Sequence, residues 1–203
     1  MWQAVAFFLG TLPTLYIFGQ VWVLLSGGPH RLGADPAREL VLFQGEWAIH
    51  FLVLTLLVTP VRRLTGWAKV GPLRRTLGLF TFFYATLHLL SYIFLLLELE
   101  FMAIGRELVE RPYIAAGLLA WLFLVPLALT STREMAKRLG RFWRKLHRLI
   151  YCIALLAILH VVWLAKSSYL EAMIYGLLLL LSLGFRLFVW KGWLSKSGLK
   201  ALD

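Results

Sequence analysis

Cysteine is nearly absent from this chain: Cys152 is the single one in 203 residues, and it stands inside an apolar run. One cysteine excludes an intramolecular disulfide, a multi-cysteine zinc site and a cysteine-ligated iron–sulfur cluster. No Cys-x-x-Cys-His sequence occurs, so a haem here would lack the thioether attachment of c-type cytochromes. Charge is also scarce, at 15% of residues against about a quarter in a soluble domain. Negative charge is the scarcer sign, with 10 Asp and Glu against 21 Lys and Arg. Neither Gly-x-Gly-x-x-Gly nor a Walker-type sequence is present, and no polar stretch is long enough to house a nicotinamide-binding fold.

What is abundant is apolar surface. The chain is 61% hydrophobic, with a mean hydropathy of +0.78. The excess comes as long apolar runs, the mark of a polytopic membrane protein in a lipid bilayer. A net charge of +11 would point to nucleic acid on a soluble chain. Here it is confined to short links between runs, so it sets membrane orientation and no nucleic-acid partner is expected. The sequence predicts an all-α integral membrane fold, a six-transmembrane-helix bundle forming a single domain over residues 1–203. Spans are expected near 5–25, 43–61, 73–97, 112–130, 149–165 and 170–190. The first run is long and lacks a basic flank, so it reads as a retained span rather than a cleaved signal peptide. Gly27 to Leu40 is rich in turn formers and reads as a loop. Glu98 to Arg111 reads as a short acidic connection, and Pro112 suits the first position of the fourth span.

Orientation follows from lysine and arginine in the links. Arg62, Arg63, Lys69, Arg74 and Arg75 lie between spans two and three. Arg133, Lys137, Arg138, Arg141, Arg144, Lys145 and Arg148 lie between spans four and five, and Lys191, Lys196 and Lys200 follow span six. The opposite side has Arg31, Arg38, Arg106, Arg111 and Lys166 among most of the carboxylates. Both termini are therefore expected in the cytoplasm. Arg186, late in span six, is expected to snorkel toward that side.

Histidines inside apolar spans are the candidate functional residues, because an ionisable group there is expensive and normally faces a bundle interior. His160 lies 12 residues beyond Arg148, and His88 lies 13 beyond Arg75. Spans three and five run the same way, so both sit roughly 18–20 Å above the cytoplasmic boundary. Matched depth on two helices is what a bis-histidine haem needs. Around His88 a stripe of small and polar residues (Gly78, Thr81, Tyr84, Ala85, Ser91, Tyr92) recurs at helical spacing; the alternative reading is a helix-packing seam. His147 sits at the cytoplasmic interface, about 140° from His160 on a straight helix. The two share a direction only if the helix bends or His147 precedes it. His147 is either a hydrated interfacial residue or a ligand, and its basic setting suits a flavin phosphate or a quinone headgroup. His50 matches the depth of His88 and is open to ligation, to bonding a propionate, or to packing. His30 reads as solvated.

The stretches GADPAREL, LTLLVTP, RRTLGLFTFFYATLHLLSY, RELVERPYIAAG, LALTST and RFWRKLHRLIYCIALLAILH together resemble the haem-binding membrane subunits of bacterial periplasmic methionine-sulfoxide reductase systems, within the ferric-reductase-like transmembrane family. The resemblance covers nearly the whole chain. It implies an inner-membrane protein with b-type haem, passing electrons to a periplasmic molybdopterin-containing methionine-sulfoxide reductase that repairs oxidised proteins. It also implies flavin mononucleotide and a cytosolic flavin reductase as electron source, with quinol as another candidate. The family's histidines carry over onto His88, His147 and His160. The wider family has two histidines on each of two spans, and here Arg74 stands where the inner ligand of span three would be. One haem on His88 and His160 is therefore expected, with His147 as a candidate ligand of a second site. On this reading the protein is an electron-transfer subunit rather than a complete enzyme. Its rivals are a self-contained ferric or quinone reductase and a transporter using the histidines for metal or protons.

Overall fold

The computed structural model describes residues 2–164 and 169–190, and every regular element among them is helical. Helix α1 (Trp2–Leu25) leads through a turn-rich loop to α2 (Pro36–Thr65). A short 3₁₀ turn (Ala68–Val70) precedes α3 (Leu73–Ser91), which runs on into a π-helical turn (Tyr92–Leu96). Then come α4 (Phe101–Glu110), α5 (Pro112–Leu129), α6 (Arg133–Leu139), α7 (Arg141–Leu146), α8 (Leu149–Leu164) and α9 (Tyr169–Trp190).

Among the described residues five segments are long and apolar enough to cross a membrane: Trp2–Leu25, Pro36–Thr65, Ala68–Leu96, Pro112–Leu129 and Arg141–Leu164. The expected sixth span falls on α9, which is not among these five; its apolar stretch is the shorter Ala172–Arg186. The link 165–168 and the tail from 191 lie outside the described residues, with the expectations placed on Lys166, Lys191, Lys196 and Lys200. Expectation and structure agree on a helical membrane protein.

Several boundaries differ from expectation for local reasons. Helix α2 starts at Pro36, inside the expected loop, because Asp35 caps it by accepting from the Arg38 N–H and Pro36 fits a position that needs no donor. It also continues through Pro60 to Thr65. The acidic connection after span three is not all loop: Glu98 and Leu99 turn the chain at φ 48° and 63°, and α4 follows. Gly140, at φ 50°, separates α6 from α7, a backbone conformation that a side chain disfavours.

Helices α2 and α3 form the most extensive interface, followed by α5 with α8. The core joins Ile49, Leu52, Val53 and Leu56 of α2 to Ala120, Leu124 and Leu127 of α5, Ile150, Ile153 and Ala154 of α8, and Leu179 of α9. A second cluster stacks Phe51 on Phe80 and Tyr84. Between α3 and α5, the Trp121 indole N–H donates to the Thr86 hydroxyl at 3.0 Å, and Phe82 stacks on Trp121.

In lipid every buried polar group must be satisfied from within. Pro60 has no N–H, so the Leu56 carbonyl loses its helical partner. Two residues of α9 replace it: the Ser182 hydroxyl donates at 2.9 Å and the Arg186 guanidinium at 2.8 Å. Arg186 therefore does not snorkel; it is 9% exposed and turned into the bundle. Tyr84, fully buried, donates to the Gly10 carbonyl and also meets the Thr14 hydroxyl, both at 2.8 Å, tying α1 to α3. Replacing Tyr84 by Phe should lower unfolding stability by about 1–2 kcal/mol, the net worth of one or two buried hydrogen bonds. Thermal or denaturant unfolding in detergent checks this, and a midpoint equal to that of the wild type would contradict it.

Candidate functional site

A neutral imidazole has one N–H and one lone pair, and here the surrounding helices decide which nitrogen bears which. The His88 Nδ1 lies 2.8 Å from the Val41 carbonyl of α2. The His160 Nδ1 lies 2.7 Å from the Tyr113 carbonyl of α5. A carbonyl only accepts, so each Nδ1 is the donor and each Nε2 keeps its lone pair.

Close approach makes both bonds attainable. In a helix the carbonyl of one residue is shielded by the side chain four residues later, and here those positions are Gly45 and Gly117. A Cβ on Gly45 would stand 3.0 Å from the His88 Nδ1, and one on Gly117 2.8 Å from the His160 Nδ1. The two devices are the same: carbonyl, glycine one turn on, and histidine 47 residues after the carbonyl in both cases. Helices α2 and α3 build one copy, and α5 and α8 the other.

The structure brings His88 and His160 together, with ring centroids 6.1 Å apart and ring planes at 84°. An imidazole nitrogen holds a first-row metal at about 2.0–2.1 Å and lies about 1.1 Å from its own ring centre, so rings on opposite sides of one metal have centroids about 6.2–6.4 Å apart. The pair fits a shared iron, and the Nδ1 bonds to carbonyls supply the outer partners that metal-bound histidines need. Tyr113 also packs its ring beside His160, centroids 6.1 Å apart.

On one side of the pair the helix ends are tied together. The Glu107 carboxylate of α4 accepts from the Tyr92 hydroxyl at 2.8 Å and from Arg111 at 3.1 Å. Tyr92 opens the π turn one helical turn beyond His88, and Arg111 immediately precedes α5. The π turn lies where such irregularities often mark functional sites.

The other histidines are placed apart. His147 ends α7 rather than lying within α8, so the straight-helix angle to His160 does not apply. It stacks on Trp143, centroids 3.9 Å apart, and its Nδ1 lies 3.1 Å from the Trp143 carbonyl. Its Nε2 is buried with no hydrogen-bond partner among the described residues. That bare nitrogen fits a ligand role, but Arg74 rather than a histidine is the charged group near it. His50 bonds the Tyr175 hydroxyl of α9 through Nε2 at 2.9 Å. His30, in the loop before α2, accepts from the Leu32 N–H at 3.3 Å.

Sequence reasoning missed Val41, Gly45, Tyr113 and Gly117. The available signal was the glycines: inside an apolar helix glycine costs about 1 kcal/mol relative to alanine and marks a close approach. It also missed Gln44, a 5%-exposed residue of α2 whose side-chain oxygen lacks a hydrogen-bond partner among the described residues.

Long apolar helices with two histidines facing each other inside them define a helical membrane protein, and the comparisons with known proteins name a transmembrane family. The family model described as "Ferric reductase like transmembrane component" matches residues 44–158, and the chain belongs to that family. Within it, the chain is similar to the "Protein-methionine-sulfoxide reductase heme-binding subunit MsrQ" of Xanthomonas campestris pv. campestris (strain B100), 48% identical over 179 residues, covering 88% of this chain and 81% of that protein. The protein of the same description from Pectobacterium carotovorum subsp. carotovorum (strain PC1) is 40% identical over 185 residues, covering 91% and 90%.

The tautomers are directly measurable. In protein labelled with ¹⁵N-histidine and free of haem, His88 and His160 should resonate as neutral Nδ1–H imidazoles. A protonated Nε2 at either position would contradict the carbonyl bonds.

Proposed function

We propose that the protein is the b-type haem electron-transfer subunit of a methionine-sulfoxide reductase system. It would carry electrons across the bacterial inner membrane from a cytoplasmic donor to a periplasmic, molybdopterin-containing reductase that repairs oxidised proteins. The observation that supports this most is the His88–His160 pair, with both Nε2 lone pairs free and both Nδ1 atoms anchored. The descriptions of its relatives point to the system. In this reading α9 is the sixth span, and the arginine-rich links and both termini face the cytoplasm.

His88 and His160 would hold the haem iron through Nε2, and a bound haem would supply one-electron redox chemistry. The chain's own work is ligation, orientation and exclusion of water. Val41 and Tyr113 fix the imidazole tautomers, Gly45 and Gly117 let the rings sit close to the helices, and Phe82, Trp121 and Thr86 hold the two helix pairs together. The donor, a flavin reductase with flavin mononucleotide or a quinol, would approach the basic end around Arg74, Arg75 and Arg144 to Arg148. The acceptor would dock on the opposite face, over residues 27–46 and 98–111. A second haem at His147 would need a ligand other than histidine opposite it.

The family description favours one other reading, a self-contained reductase of ferric iron or quinone without a dedicated periplasmic partner. Rates of electron delivery to a periplasmic reductase and to ferric chelates separate the two.

The purified protein should give a b-type reduced-minus-oxidised spectrum, with haem content falling at least about tenfold in His88→Ala and in His160→Ala. An unchanged spectrum in both variants overturns the ligand assignment. Gly117→Val should likewise reduce haem retention, whereas Gly105→Val, which meets open space, should not. Equal retention in the two valine variants would remove the glycine from the site.

A further inference from the structure

Glu107 of α4 bridges the two helix pairs that carry the histidines. One of its carboxylate oxygens, Oε2, accepts from the Tyr92 hydroxyl at 2.8 Å and from the Arg111 guanidinium at 3.1 Å. The two donors belong to different halves of the site. Tyr92 stands one turn after His88, and its backbone N–H bonds the carbonyl of His88 itself. Arg111 stands two residues before Tyr113, whose carbonyl accepts from the His160 Nδ1. The Glu107 side chain is largely buried, and its ion pair with Arg111 is the one found among the described residues. A single oxygen thus joins the end of α3 to the start of α5.

The backbone that delivers Glu107 is strained. Glu98 and Leu99 both take left-handed conformations, at φ 48° and 63°, and a bulky residue such as Leu99 is rarely found there. Neither position carries glycine, the residue that takes such angles freely. Just before them α3 passes into the π-helical turn Tyr92–Leu96, where the Leu97 N–H bonds the Tyr92 carbonyl at 3.1 Å. Irregular backbone of both kinds persists where the surrounding structure holds it, and it concentrates at functional sites. Here it reverses the chain, so that α4 returns to the end of α3 and Glu107 meets Tyr92, 15 residues earlier. A turn that only connected two helices would need no such strain.

We propose that Glu107 is a positioning residue for the histidine pair: through Tyr92 and Arg111 it clamps the two helix pairs at the separation that lets His88 and His160 share one iron. The proposal rests on the reading of that pair as haem ligands. Each ring is bonded to a carbonyl of its own helix pair, so the distance between rings follows the distance between the pairs. That distance has little latitude, since the centroids stand 6.1 Å apart and a shared iron needs about 6.2–6.4 Å. On the other side of His88 the Trp121 indole ties α5 to Thr86 of α3 at 3.0 Å. Thr86 lies two residues before His88 and Tyr92 four after it, so ties between the helix pairs bracket the ring. The Glu107 tie is the charge-assisted and stronger of the two. Glu107 acts through its partners and not by ligation.

Ferric EPR of the full-length, haem-loaded protein in detergent tests the proposal. The low-spin signal of a bis-imidazole haem depends on the angle between its ring planes, which stand at 84° here. Glu107→Ala and Tyr92→Phe should keep the haem, shift that signal and speed haem loss severalfold. Glu107→Gln retains an acceptor oxygen for Tyr92 and should stay close to the wild type. Glu110→Ala, exposed on the same helix, should change neither the signal nor the rate of haem loss. Amide hydrogen exchange in the haem-free protein reads the clamp itself: residues 92–97 and 101–110 should lose protection in Glu107→Ala and in Tyr92→Phe. Tyr92→Phe removes a single hydroxyl and keeps the test decisive if Glu107→Ala does not fold. Unchanged protection, or an unchanged EPR signal in Tyr92→Phe while His88→Ala loses its haem, overturns the positioning role and leaves the ligand assignment standing. Full haem content in both His88→Ala and His160→Ala overturns the ligand assignment instead.

Discussion

The centre of this molecule depends on where a helix carbonyl can be reached from the side. A histidine placed in an apolar bundle must give its N–H to something, and in lipid no bulk water is available to take it. The Val41 and Tyr113 carbonyls take that role, and each is reachable because glycine stands one turn later. The bond then determines everything that follows for the imidazole. It selects the tautomer and leaves the lone pair on Nε2. Without the glycine the ring would be held off the helix, and the Nδ1–H would be left unsatisfied.

The device occurs twice with the same 47-residue offset, although no internal repeat is visible in the sequence. Side chains around the two copies differ: Phe43, Gln44 and Trp47 near Gly45, against Ala115, Ala116 and Leu119 near Gly117. What is shared is backbone geometry, namely two antiparallel helix pairs whose histidines face each other. The same economy governs other polar groups. Thr55, Thr81, Thr86 and Thr130 each return their hydroxyl to the carbonyl four residues earlier. Pro60 breaks one such ladder, and α9 is docked onto the break through Ser182 and Arg186.

The sequence made the helical membrane class legible because hydropathy is additive along a chain and needs no knowledge of contacts. The depth match of His88 and His160 was legible for the same reason, since rise per residue is nearly constant. Contacts between helices were not. Arg186 reads as a snorkelling residue by position alone, and it turns inward because a proline 126 residues earlier frees a carbonyl for it and Ser182 to occupy. Helix α4 was hidden within an acidic connection because its amphipathic face matters only against Tyr92 and the start of α5. His147 was ambiguous because a break in the helix invalidates angles counted through it. The glycines carried information that composition discards, since their meaning lies in what approaches them.

The two ends of the bundle differ in a way that bears on how many redox groups it can hold. At the His88–His160 level each ring has a carbonyl behind it and a second ring in front. At the His147 level the first half of that arrangement is present: Nδ1 faces the Trp143 carbonyl, and Nε2 is bare. The second half is replaced by positive charge. Arg74 stands on the helix that would have to supply a partner, and Arg186 repels it electrostatically. A guanidinium keeps its proton at any ordinary pH and is a poor ligand for iron. The two levels therefore differ by one exchange on α3: a histidine faces a histidine at the first, and an arginine stands near His147 at the second.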